Sequence, residues 1–292
     1  GLPDGGFGSL LVSGNRGDGI YLVFDSPDVI WNTWFSRLYV GVERDSGSGV
    51  AIPNRRGLVI DYDVNYSDDI DRYFRVDGLF SGNTEAGIVV NGTGGGTRLE
   101  IRGGIGTSGG EFGYANVYSS EAIDPLPNRG PGIVIASDDV QVQILPDTII
   151  AFNHGPGIRH DGNGDGSNLS IGRRPGYPGS LYSPVEGPDH VQIYNNQGLS
   201  IDLQSSGPSE NSGGSIDTPV ITSATLNNGF LDITGTNSAS GGYFLQFYAT
   251  KPTVSGRGQA DALFSTFGQL AGMSIPAAVT TYLADYPNPL YD

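Results

Sequence analysis

The stretch Asn128-Arg129-Gly130-Pro131-Gly132-Ile133-Val134-Ile135 returns 25 residues later as Asn153-His154-Gly155-Pro156-Gly157-Ile158. The same text, loosened, recurs as Asn15-Arg16-Gly17-Asp18-Gly19-Ile20, Asp45-Ser46-Gly47-Ser48-Gly49-Val50, Asn83-Thr84-Glu85-Ala86-Gly87-Ile88 and, shortened, Asn195-Asn196-Gln197-Gly198-Leu199. In five copies an Asn or Asp stands five residues before an aliphatic residue, and in all six a Gly immediately precedes it. Asn, Asp and Gly tolerate positive φ and make side-chain turns, and the residues that follow alternate apolar and polar, as in Ile20/Leu22, Ile88/Val90 and Ile133/Ile135. Each copy reads as a turn feeding a half-buried strand.

The aliphatic anchors Ile20, Val50, Ile88, Ile133, Ile158 and Leu199 are 30, 38, 45, 25 and 41 residues apart. A propeller blade or helical repeat needs a constant length, whereas a solenoid needs only its strands to stack and can carry insertions at its turns. Second strands lie between the anchors: Leu58-Val59-Ile60, Leu99-Glu100-Ile101, Val140-Gln141-Val142-Gln143-Ile144 and Val191-Gln192-Ile193. Over about residues 7 to 203 the pattern Asn-x-Gly-x-Gly-Ile-x-Ile followed by Val-x-Ile resembles the right-handed parallel β-helix proteins of the pectin-lyase-like group. The resemblance implies an all-β fold, a right-handed parallel β-helix (solenoid) of about six or more coils over residues 1–203.

Residues 204–218 are polar and aperiodic and read as a linker. Beyond them Val220–Leu226, Phe230–Thr236 and Tyr243–Ala249 read as consecutive antiparallel strands, with Asn227-Asn228-Gly229 as a turn. This text is similar to a β-sandwich module that follows β-helix coils in large bacterial surface proteins. The expectation for 219–292 is a small antiparallel β-sandwich-like module, whose closure the Gly-, Ala- and Pro-interrupted tail from Phe264 to Asp292 leaves open.

Composition agrees with this architecture. The 292 residues include 47 Gly and 18 Pro, against long helices, and 24 Asp against only 7 Glu, a bias toward turns. With 37% apolar and 10% aromatic residues the chain has enough to build a core. A net charge of -16 would repel a nucleic-acid backbone and an anionic membrane. Zero Cys excludes disulfides, thiol catalysis and thiolate metal sites, and no apolar run is long enough to span a bilayer. The chain opens Gly1-Leu2-Pro3, with neither Met nor a signal peptide, so the expectation is a mature or excised piece of something longer.

For chemistry, Asp161-Gly162-Asn163-Gly164-Asp165-Gly166 alternates oxygen ligands with Gly, as the first half of a calcium loop does; Asp161, Asn163 and Asp165 are the candidate calcium ligands. The residue at the twelfth position is Gly172, which excludes an EF-hand. Arg173, Arg174, Tyr177 and Tyr182, with Arg98, Glu100 and Arg102 on one strand face, form a candidate basic and aromatic polysaccharide-binding surface. Carboxylates cluster at Asp68-Asp69-Asp71 and at Asp138-Asp139, as an acid/base pair would need, but adjacent strand residues point to opposite faces, so a solvated turn is the better reading. A lyase base is lacking in the repeat, since the only Lys is Lys251. His154, His160 and His190 are too scattered for zinc, Gly104–Gly109 lacks the helix a dinucleotide fingerprint needs, and Arg16-Gly17-Asp18 falls on the repeated turn. Asn65, Asn91 and Asn168 are glycosylation acceptors by pattern.

Residues 1 to 14 carry Phe7, Leu10, Leu11 and Val12, which read as a strand awaiting a neighbour, and no capping helix precedes the first coil. The expectation is a non-catalytic extracellular structural or adhesive surface protein whose partners are copies of itself, joined end to end into a filament. The alternatives on the same fold are a carbohydrate-active enzyme, a polysaccharide lyase or glycoside hydrolase, and a phage tail-spike-like protein.

Overall fold

A computed structural model describes residues 6–7, 10–26, 33–43, 50–63, 72–93, 97–107, 125–137, 140–145, 148–161, 169–171, 191–202, 220–227, 230–236, 243–249, 262–269 and 279–282. These contain strands and turns and no helix. The chain divides into two units, residues 1–211 with 251–261, and residues 212–250 with 262–292.

In chain order the strands of the first unit are β1 (Gly6–Phe7), β2 (Leu10–Val12), β3 (Ile20–Phe24), β4 (Thr33–Val40), β5 (Leu58–Tyr62), β6 (Arg72–Phe80), β7 (Ile88–Gly92), β8 (Thr97–Ile105), β9 (Ile133–Ile135), β10 (Gln141–Ile144), β11 (Ile149–Ala151), β12 (Ile158–His160), β13 (Leu169–Ile171), β14 (Gln192–Tyr194) and β15 (Ile201–Asp202). They form two sheets, and every pairing in both is parallel. One sheet runs β3-β5-β7-β9-β12-β15; the other runs β1-β4-β6-β8-β10-β13, with β2 on β4 and β11 between β8 and β14. Between one strand of the first sheet and the next, the chain contributes one or two strands to the second sheet, so each pass extends both. This all-parallel, helix-free architecture is compatible with a β-helix.

Register makes columns of like residues. Ile20, Leu58, Ile88, Ile133, Ile158 and Ile201 are aligned from rung to rung, as are Leu22, Ile60, Val90, Ile135 and His160. Phe74, Leu99, Val142 and Leu169 align in the facing sheet, beside Phe35, Val76, Ile101, Ile144 and Ile171. These columns meet in one core in which Ile60, Ile88, Leu99, Ile101 and Ile133 have no exposed surface. Each such side chain contributes about 1.5–3 kcal/mol by burial. Near the first rungs Phe24 stacks on Tyr62 at 5.0 Å and meets Phe74 edge-on at 5.3 Å.

The register corrects two anchors of the repeat. The residue aligned between Ile20 and Ile88 is Leu58, not Val50, and the residue aligned after Ile158 is Ile201, not Leu199. Leu58-Val59-Ile60 is therefore a strand of the first sheet rather than of a second face. Val50 is exposed and lies beside an antiparallel bridge between Val42 and Ala51. The turn of the second rung is Asn54-Arg55-Arg56-Gly57, one residue shorter than its counterparts, which disguises it.

The Asn of each turn is not placed by a tolerance for positive φ. Asn54, Asn83, Asn128, Asn153 and Asn196 are buried in a stack that starts at the exposed Asn15. Asn15 Nδ2 donates to Asn54 Oδ1 at 3.0 Å, Asn54 Nδ2 to Asn83 Oδ1 at 3.2 Å and Asn83 Nδ2 to Asn128 Oδ1 at 3.0 Å. Asn128 Nδ2 continues to Asn153 Oδ1 at 2.9 Å, and Asn153 Nδ2 to Asn196 Oδ1 at 2.8 Å. The second amide hydrogen goes to a backbone carbonyl, Phe80 O for Asn128 and Ile150 O for Asn196. A buried carboxamide is tolerated because its donors and its oxygen are all used.

Nor does the Gly before each aliphatic residue have positive φ; the left-handed glycines are Gly14, Gly41, Gly82, Gly92, Gly103 and Gly106. Gly19, Gly57, Gly87, Gly132 and Gly157 are needed for close approach. A Cβ on each would lie 2.4–2.8 Å from the carbonyl oxygen of Gly57, Gly87, Gly132, Gly157 and Ser200 in turn. Those carbonyls accept the backbone bonds that join consecutive rungs, such as Leu58 N–H to Gly87 O at 3.0 Å.

The left-handed step lies directly before the ladder Asn in Gly14, Gly82, Phe152 and Asn195. In two rungs Gly41 (φ 84) and Gly106 (φ 87) take that step and the chain then leaves the stack. It returns at Pro53-Asn54 and Pro127-Asn128, with Ile52 N–H on Gly41 O and Leu126 N–H on Gly106 O. In these two rungs the extra residues thus fall between the left-handed step and the ladder Asn.

The second unit contains β16 (Val220–Asn227), β17 (Phe230–Thr236), β18 (Tyr243–Ala249), β19 (Ala262–Gln269) and β20 (Val279–Tyr282). Its described pairings are antiparallel: β16-β17-β20 in one sheet and β18-β19 in another. The expected run of consecutive partners therefore breaks after β17, whose second neighbour is β20 from the tail.

Candidate functional site

The outer side of the long-stranded sheet collects the charged groups. Parallel register places Arg75, Glu100, Gln143 and Ser170 in one row and Arg98 beside Gln141 in the next. Charges two residues apart on a strand share a face, and here they pair: Arg75 Nε reaches Asp77 Oδ1 at 2.8 Å and Arg98 Nε reaches Glu100 Oε1 at 3.1 Å. Gln143 is only 1% exposed, and neither Oε1 nor Nε2 has a hydrogen-bond partner. A buried carboxamide in that state is uncommon in a folded protein. Sequence reasoning passed over Gln143 because alternation alone assigns it to a solvated face.

At the turns of the first rungs, Asp18 takes both oxygens to arginine. Arg56 binds it through Nε and Nη2 at 2.7 Å each, and Arg55 Nη2 adds contacts at 3.1 and 3.2 Å. The Arg56 hydrogen bonds, then those of Arg55, hold the Asp18 carboxyl below the usual carboxylate range. The carboxylate of Arg16-Gly17-Asp18 is thereby engaged inside the molecule. A lowered folded value means the stabilisation is complete above the unfolded value of about 3.9 and fades as pH falls through the folded one. Asp18→Asn is expected to cost about 1 kcal/mol at pH 7, since Arg55 is half in solvent. Thermal midpoints of variant and wild type should converge as pH falls through the folded value.

On the outer face of the other sheet the Tyr21 hydroxyl donates to Asp61, which also accepts from Asn91 Nδ2 at 2.7 Å. The Asp61 hydrogen bond raises the Tyr21 phenol above its ordinary value. The amide nitrogen that glycosylation of Asn91 would use is therefore bonded across the sheet.

Of the proposed calcium ligands only Asp161 is described. Its Oδ2 accepts from Arg159 Nε at 3.0 Å and Nη2 at 2.7 Å. Asn163, Asp165, Arg173, Arg174, Tyr177 and Tyr182 lie outside the described residues, as do Asp68, Asp69, Asp71, Asp138, Asp139 and His190. His154 is exposed on a turn, whereas His160 ends an interior column with no exposed surface. Among the described residues no group of three His, Cys, Asp or Glu could hold a metal ion, and no helix is long and apolar enough to cross a membrane. Searches against protein-family models, curated proteins and solved structures each return no match to the chain.

Proposed function

We propose that the chain is a non-catalytic structural or adhesive protein of an extracellular surface, built on a right-handed parallel β-helix of the pectin-lyase-like kind and associating with copies of itself. The observation that carries this reading is where the buried polar groups go. Five buried Asn side chains bond rung to rung, Asp77, Glu100 and Asp161 are paired with Arg, and Asp61 accepts from Asn91 of the same sheet. That chemistry holds a stack together. Right-handedness follows the general rule for parallel strands joined by crossovers.

A second reading, polysaccharide binding without cleavage, is favoured by Gln143 in its row with Glu100 and Ser170. Calcium belongs to the loop that begins at Asp161. Negative-stain imaging of the purified chain over a concentration range, with and without calcium, together with incubation on acidic and neutral polysaccharides, tests these readings. Ordered assemblies and intact polysaccharide are the expected outcome. Dispersed particles that depolymerise a glycan would overturn the structural reading, and unchanged melting and assembly in calcium would remove the metal from it.

A further inference from the structure

The two excursions from the stack have bases built alike. After Gly41 the chain leaves through Val42 and returns through Ala51-Ile52-Pro53; after Gly106 it leaves through Thr107 and returns through Pro125-Leu126-Pro127. An antiparallel bridge closes each base, Val42 against Ala51 and Thr107 against Pro125. A further backbone bond seals it, Ile52 N–H to Gly41 O at 2.9 Å in the first and Leu126 N–H to Gly106 O at 3.0 Å in the second. The ladder order Asn54, Asn83, Asn128 places the rung of Ser81-Gly82-Asn83 between them. Two rungs are about 9.5 Å apart, too far for a direct hydrogen bond between equivalent groups.

The intervening rung holds both bases. Gly82 N–H donates to Leu126 O at 3.0 Å in the second base. Toward the first base Gly82 packs so closely that a Cβ would lie 2.7 Å from Ala51 Cβ and 2.8 Å from Gly41 O. Ser81 has no exposed surface; its Oγ donates to Thr107 O at 2.9 Å and accepts from Gly106 N–H at 2.9 Å and Thr107 N–H at 3.1 Å, which uses its full capacity. Its own N–H bonds to Val40 O, one residue before Gly41. A small apolar cluster apart from the main core joins Val42 of the first base, Leu126 of the second and Leu79 of β6, with Tyr39 packed against it. Opening either base removes one wall of this cluster and wets the remaining residues, a loss that opposes separate opening.

We propose that the two excursions share one joint, made by Ser81, Gly82, Leu79, Val42 and Leu126, and that their bases open and close as a single local unit. The joint has two states, one with the cluster dry and Ser81 Oγ saturated, the other with both bases released. A restraint applied to one excursion is therefore felt at the foot of the other, and by linkage the effect is reciprocal. The coupling is independent of what the excursions bind.

Native-state hydrogen exchange on the 292-residue chain tests the joint. Glu43→Cys/Val50→Cys sets a disulfide across the first base but outside the cluster; both residues are exposed, Glu43 N–H bonds to Val50 O at 3.1 Å, and the chain has no native Cys. Oxidation of this variant should slow exchange of the Thr107 and Leu126 amides, in the other base, by about tenfold relative to its reduced form, and leave the Ile133 and Ile158 amides unchanged. In the opposite direction, Leu126→Ala and Ser81→Ala should each speed exchange of the Glu43 and Ile52 amides by about tenfold. Slowing confined to residues 41–52 on oxidation would overturn the coupling, because bases that open separately do not feel each other's restraint. If Leu126→Ala or Ser81→Ala loosens the whole unit, so that Ile133 and Ile158 exchange faster too, the oxidised and reduced forms of the disulfide variant, which differ by one bond, still give the answer.

Discussion

Replacing Asn128 by Ala should lower the stability of the first unit by roughly 3–5 kcal/mol, enough to unfold a protein of ordinary marginal stability near its working temperature. Asn128 has no exposed surface and sits in the middle of the ladder. Its Oδ1 accepts from Asn83 N and Nδ2 at 3.0 Å each, and its Nδ2 donates to Phe80 O and Asn153 Oδ1 at 2.9 Å each. Truncation strands all of those partners, which belong to residues that are themselves fully buried, and each buried orphan costs about 1–3 kcal/mol before relaxation. Asn128→Asp, nearly isosteric, should be worse at neutral pH: it points a buried charge and no donor at Phe80 O and Asn153 Oδ1. Protonation returns one donor, so the Asp variant should regain stability as pH falls from 7 toward 4. Asn15→Ala, at the exposed end, should cost only about 1 kcal/mol. Urea unfolding monitored by far-ultraviolet circular dichroism ranks the four proteins. Equal midpoints for Asn128→Ala and Asn15→Ala would show that the ladder carries no special load.

Gly57→Ala should be at least as damaging, about 3 kcal/mol or more, for a reason unrelated to backbone conformation. The added methyl would lie 2.4 Å from Gly87 O and 2.9 Å from Asn83 Nδ2. Neither can retreat: Gly87 O is bonded to Leu58 N–H and Asn83 Nδ2 to Asn128 Oδ1. The rungs must separate locally, which breaks a backbone bond and a ladder bond together. Gly17→Ala is the matched control, because its Cβ meets nothing within 4 Å. It should be neutral or stabilise by about 0.5 kcal/mol through the unfolded chain. If both variants melted together, the close-approach account of the glycine column would fail.

Both predictions concern residues that the repeat displays openly, yet the reason for each lies in neighbours that local reading does not supply. Asn and Gly before an aliphatic residue are legible as a turn. Positive φ is the ordinary explanation, and it holds here for Gly14, Gly82 and Asn195 but not for Gly57 or Gly87. Gly57 is instead constrained by a carbonyl 30 residues away in sequence and one rung away in space. The charged row was half legible: Arg98 and Glu100 share a face by alternation, but their pairing to each other and the covered carboxamide of Gln143 depend on packing.

Taken by itself, the sequence determined the all-β class, the turn-and-strand unit and its elastic spacing, because these follow from local periodicity and from Gly, Asn and Asp chemistry. The second-rung anchor was decided only by tertiary structure. Val50 and Leu58 both follow a Gly, and only stacking against Ile20 and Ile88 selects Leu58. The ladder and the close-approach glycines have the same origin. They are contacts between residues one rung apart in space and 25 to 45 apart in the chain, where no local pattern reaches.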